Sequence, residues 1–185
     1  SKPVRTRVHA LIGLFATAVF FVGVSALWAY VERIGVGLGI DAATAARALG
    51  VSVLLGVFGP SIGVWLSSRL GVSANMAISM AVASAAFLLL AGQIGLGLFV
   101  AALVVFQLAW NMWLPSQMSL VAMADADGRT TVLIPLFQAL GIAIGPALVA
   151  SLLSEHGYQM ITIIGLVCLG VALLSFIFVA KRVIE

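Results

Sequence analysis

Charge is what this sequence has least of. Nine Lys and Arg and six Asp and Glu make up 8% of its 185 residues, against about a quarter in a soluble domain. So few charges cannot cover a water-soluble fold of this length. Cysteine occurs once, at Cys168 in an apolar run, so no internal disulfide can form. The two histidines, His9 and His156, stand far apart in the sequence. With a single cysteine they offer no metal-ligand spacing, and no cofactor is expected. A serine protease within the membrane would need a Ser–His pair at depth, and these histidines fall at opposite ends of their spans. An enzyme is therefore not expected. The net charge of +3 and pI near 9.6 do not point to nucleic acid either, because the basic residues do not cluster on one face.

What fills the chain is hydrocarbon. Hydrophobic residues make up 63% of it, and the mean hydropathy is +1.25. The apolar residues fall into six stretches at roughly 31-residue spacing, each holding the approximately 20 residues that a spanning helix needs. The expected fold is all-α: a single polytopic domain of six transmembrane helices with the lipid bilayer as its solvent. Helix A is read at about 8–31, B at 42–68, C at 74–91, D at 96–122, E at 131–153 and F at 159–180. The basic start runs into a span too long for a signal-peptide core, so no cleavable signal is expected. Asp41 is a candidate N-cap for B, and Ser73 or Asn75 for C. Gly35-Val36-Gly37-Leu38-Gly39 looks like a phosphate loop. It joins two spans, however, and lacks the strand that such a loop follows, so it reads as a flexible turn.

Orientation follows from Lys and Arg. Lys2, Arg5, Arg7, Arg69, Arg129, Lys181 and Arg182 share one side, and only Arg33 and Arg47 the other. The positive-inside rule then puts both termini in the cytoplasm, in a plasma or inner membrane, with Glu155 and His156 in an outer turn.

Helices B and E carry matched punctuation. B reads Gly59-Pro60 with Gly63 four residues after Gly59, and E reads Gly141 with Gly145-Pro146. Small residues at that spacing let helix backbones approach, and each proline frees a carbonyl and permits a kink. Equivalent positions in the second helix of each triplet suggest an A-B-C and D-E-F repeat, about 8–91 and about 96–180. An odd number of helices per unit makes it an inverted repeat. Helix F, nearly without polar residues, is expected to face lipid. Helix C, with a small-residue stripe at Ala77, Ala81, Ser84 and Ala85, is expected to pack or lie at the periphery.

Polar residues concentrate in A and D. Gln107, Trp110, Asn111, Leu114 and Gln117 fall on one broad face of D, and Ser25, Trp28 and Glu32 on one face of A. Amides and a carboxylate are costly in hydrocarbon and must face protein or a wet cavity. A substrate cavity lined by Ser25, Trp28, Glu32, Gln107, Trp110, Asn111 and Gln117 is one reading. Interhelical hydrogen bonding with an interfacial tryptophan belt is the other. Glu32 and Arg47 are the opposite charges deepest in the outer half. They suit a static ion pair, snorkelling to the interface, or a gate linked to proton coupling.

The run from Ala124-Asp125-Ala126-Asp127-Gly128-Arg129 to Phe137-Gln138-Ala139-Leu140-Gly141 and Gly145-Pro146 resembles the tenth-to-eleventh helix segment of major facilitator superfamily transporters. Ser68-Arg69-Leu70-Gly71 resembles that family's Asp-Arg-x-Gly loop, with Ser68 in place of the acid and no basic pair after Gly71. The resemblance covers nearly the whole chain, as the C-terminal six-helix half of a twelve-helix protein, helices seven to twelve. It implies secondary active transport by alternating access, with A and D lining the cavity. The apolar cavity composition suits a small amphipathic substrate, proton-coupled efflux being one form of such transport. The partner is then a missing N-terminal six-helix half or a second copy. A self-sufficient six-helix homodimeric carrier or channel is the competing reading.

Overall fold

The computed structural model describes residues 7–156 and 158–184, without the side chains of 153–156. Every regular element among the described residues is helical: α1 Arg7–Trp28, α2 Val31–Gly37, α3 Ala42–Gly56, α4 Gly59–Leu70, α5 Val72–Leu90, α6 Leu96–Ala124, a 3₁₀ turn Thr131–Leu133, α7 Ile134–His156 and α8 Gln159–Val183. Among the described residues five spans are long and apolar enough to cross a membrane, or six when the pair α3–α4 counts as one bent span. This is an all-helical chain built as a multi-pass membrane protein.

The bend in helix B measures 41°. Pro60 is its cause: without an N–H it cannot continue the α3 ladder, and it opens α4 from the first turn instead. Pro115 and Pro146 sit inside helices that stay continuous. Of the kinks permitted at the two matched prolines, only the one in helix B divides its span.

The core is organised about α1 and α6. α1 packs against α7 and α8, α6 against α3, α4 and α5, the two touch each other, and α5 touches α8. At the centre the Trp113 ring is fully buried, stacked on Phe20 at 4.9 Å and meeting Phe176 edge-on at 5.1 Å. Such paired rings add about 0.5–1.5 kcal/mol each beyond their burial. α3, α4 and α7 stay on the outside. α4 buries only Gly59 and Gly63, while Val57, Phe58, Val64 and Trp65 stand exposed, as surface in contact with lipid should.

Several expectations are corrected. Helix A turns at Ala29-Tyr30 and continues as the short α2, so the first span runs from Arg7 to Gly37 and Glu32 lies in its last part. The glycine run is not all turn. Gly35 is buried within α2 because a Cβ there would meet Phe99 at 2.8 Å, whereas Gly39, at φ +83°, makes the turn itself. Asp41 does cap α3, accepting from the Thr44 N–H at 3.0 Å. Neither Ser73 nor Asn75 caps α5, which starts after Gly71. The small stripe of α5 does not serve packing: Ala77, Ala81 and Ala85 point outward, and the buried face carries Asn75, Met76, Ser79, Met80, Ala83 and Phe87. Helix F is not simply lipid-facing, since Ile161, Gly165, Leu169, Ala172 and Phe176 form a buried stripe. Gly165 lies hard against the Phe87 ring, so α8 approaches α5 closely.

Candidate functional site

Two seams of close backbone contact carry the polar residues. In the first, α7 lies on α1. A Cβ added to Gly141 would sit 2.5 Å from the carbonyl oxygen of Ala18 and from the Cβ of Phe21. One added to Gly145 would collide with the Ser25 hydroxyl and the Val22 carbonyl. Only glycine allows this approach, and the gap it leaves is bridged by hydrogen bonds. Ser25 Oγ lies 3.2 Å from the Gly141 carbonyl and 3.3 Å from that of Val22, so its single proton is shared between the helices. Tyr30 Oη donates to the Pro146 carbonyl at 3.3 Å. Ser25 is therefore glue between spans, and it is buried.

In the second seam, α4 lies on α6. A Cβ on Gly59 would fall 2.5 Å from the Asn111 Cβ and 2.8 Å from the Leu108 carbonyl, and one on Gly63 would strike the Met112 carbonyl. The glycine and proline residues singled out from the sequence, Gly59, Pro60, Gly63, Gly141, Gly145 and Pro146, thus mark the two seams. The polar face of α6 is divided by them. Gln107 is 6% exposed and lies with Asn111 under Gly56. Asn111 donates to its own helix at the Gln107 carbonyl, 2.8 Å away. Trp110, itself partly exposed, turns the other way, against the buried Phe21 and Phe106 rings and the partly exposed Trp28 at centroid distances of 6.1, 5.8 and 6.3 Å.

Gln117 is separated from this group. It is fully buried in the core, its carbonyl accepting from the Trp113 indole N–H at 2.9 Å. Among the described residues its amide nitrogen has no hydrogen-bond partner. Gln117 therefore does not share an open cavity face with Trp110, and Trp113 is a core residue and not part of a belt. Both follow from α6 being wrapped on several sides, which an amphipathic reading of one face does not foresee.

Glu32 and Arg47 are both exposed and form no ion pair with each other. Arg33 sits over the Tyr30 ring at 5.6 Å. The Asp41 carboxyl is held below its ordinary pKa first by the Thr44 side chain and amide, with Arg47 adding to them. Of the readings for these two charges, the static ion pair is not formed, and both side chains are exposed.

A third cluster was not foreseen. Asn75 Nδ2 donates to the Met112 carbonyl at 3.0 Å and to Ser116 Oγ at 2.7 Å, and Ser116 Oγ meets Ser67 Oγ at 3.1 Å. Ser79 Oγ lies 3.5 Å from the Asn75 amide oxygen. The cluster ties α4, α5 and α6 beside the Pro115 step. The sequence signal for it is Asn75 and Ser79 at helical spacing on one face of helix C. Outside the spans, Asp125 organises the turn after α6. It accepts from the Thr131 N–H at 2.7 Å, the Thr131 hydroxyl at 2.8 Å and the Thr130 N–H at 2.9 Å. These bonds, the Thr131 amide first among them, hold its pKa below the ordinary carboxylate value.

No family model matches this sequence, and no curated protein matches it.

Proposed function

We propose that this chain is the C-terminal half of a secondary active transporter of the major facilitator type, moving a small amphipathic molecule by alternating access. The observation that carries the reading is an exchange relation in the packing. Swap α1 with α6, α3–α4 with α7, and α5 with α8, and the main contacts map onto one another, while the α6–α8 contact has no α1–α5 counterpart of similar extent. α1 lies on α7 as α6 lies on α3–α4, and α1 lies on α8 as α6 lies on α5. The α1–α6 and α5–α8 contacts are their own images. Each glycine pair presses on the first helix of the other triplet. That is the relation expected of two three-helix units inverted about an axis in the membrane plane, a plan on which transporters are built.

Under this reading both termini are cytoplasmic, and the half-exposed Trp28 and Trp110 rings are the surface offered to substrate once the other half closes the cavity. A cysteine at Gln93 should label from outside, and one at Gly128 should not; the reverse pattern overturns the orientation. Transport is tested in vesicles from cells expressing the full reading frame that contains this chain, with ethidium and a panel of neutral dyes under an imposed proton gradient. Saturable movement that Trp110→Ala reduces supports the proposal. Absence of gradient-driven movement across the panel refutes it. Transport by a six-helix chain proven monomeric by native mass refutes the half-transporter reading.

A further inference from the structure

The end of the bundle where α2, the α5–α6 turn and the start of α8 meet holds a cleft of about 550 Å³. Its floor is apolar, with Leu27 and Leu90 only 1% and 3% exposed. Gln93, Tyr158, Gln159 and Thr162 also line it. Among the described residues none of these four side chains has a hydrogen-bond partner, and Thr162 makes none of the back-bonds to its own helix that Thr17, Ser52 and Ser175 make. No described lining residue is charged. Neither Trp28 nor Trp110 lines the cleft, so it is separate from the rings proposed to meet the transported substrate.

We infer that this cleft binds a neutral amphipathic molecule, its hydrocarbon body against Leu38 and the Tyr158 ring and its uncharged hydroxyl or amide head hydrogen-bonded by Gln93, Gln159 and Thr162. The size fits, since small-molecule sites span about 300–1,000 Å³ and combine an apolar lining with a few placed polar groups. The charge fits as well. A carboxylate or ammonium head would enter a partly desolvated site with no counter-charge among the described lining residues, which is costly. Amides and hydroxyls can both donate and accept, so they match a neutral head of either kind.

The test uses the chain in nanodiscs and a monoacylglycerol carrying a diazirine in its acyl chain, with the corresponding free fatty acid as the charged comparator. Saturable labelling of peptides from the α5–α6 turn and the start of α8 is expected, competed by unlabelled monoacylglycerol and much weaker with the fatty acid. Gln93→Ala with Gln159→Ala removes the polar head contacts at exposed positions where folding is insensitive. It should weaken labelling by about tenfold, the equivalent of two net hydrogen bonds. Thr162→Phe fills the cleft and should weaken it at least as much. A water-soluble octyl congener added from buffer distinguishes a free solute from a membrane lipid as the source. Labelling that does not saturate, that spreads over the lipid-facing surfaces of α3 and α7, or that survives both variants overturns the inference.

Discussion

Alanine at the seam glycines should destabilise the protein, although alanine is the better helix former. In an open helix Gly→Ala gains up to about 1 kcal/mol. Gly50 and Gly170 are such positions, with nothing within 4 Å of an added Cβ. At Gly59 the added Cβ would sit 2.5 Å from its neighbour where ordinary contact begins at 3.4 Å, so α4 and α6 must part by roughly 0.9 Å. A gap of about that size forfeits a quarter to a half of the dispersion energy of every atom pair along the seam. The obstacles are backbone atoms and a Cβ, which cannot swing aside as the far end of a side chain would. Overpacking of this kind costs about 1–3 kcal/mol. Gly59→Ala, Gly63→Ala, Gly141→Ala and Gly145→Ala should therefore lower the melting temperature in detergent, and the leucine variants more so. Gly50→Ala and Gly170→Ala should leave it unchanged or raise it. Pairing Gly63→Ala with Gly145→Ala should give additive losses, because the two seams share no residues. If seam and open glycines respond alike, these glycines are not sites of helix approach.

Three further outcomes are expected. Asn75→Ala should cost about 1–3 kcal/mol, because the Ser116 hydroxyl and the Met112 carbonyl lose a buried partner; a melting temperature equal to the parent's would remove this cluster from the account of stability. Asp125 has a depressed folded-state pKa. Its contribution is thus complete above the ordinary value of 3.8 and disappears as pH falls through the lower folded value. The protection factors of the Thr130 and Thr131 amides, corrected for the intrinsic pH dependence of exchange, should hold from neutral pH down to that range and fall below it, and protection that persists in acid would sink the assignment. Glu32→Gln and Arg47→Gln should have additive effects on thermal stability, since the two groups do not pair. Coupling between them would mean that they meet in a state other than this one.

Composition and periodicity alone determine the solvent of this protein. With 63% hydrophobic residues and 8% charged, only helices whose backbones are internally satisfied can cross the bilayer, and the positions of those helices follow from run length. The seam glycines were legible too, because Gly-x-x-x-Gly at matched places in B and E leaves a local mark. Tertiary structure decided the rest. Gln107, Trp110, Asn111 and Gln117 share a helical face, yet α6 is surrounded, and its neighbours bury Gln117, press on Asn111 and leave Trp110 half open. Asn75 has the residue type of a cap, but its place one turn inside α5 turns it into a buried hub. Glu32 and Arg47 looked like partners from their depth, yet both side chains are exposed and do not meet. A periodic pattern records which side of a helix is apolar. Which neighbour meets that side, and how closely, depends on packing between segments far apart in the chain, and no single segment carries that information.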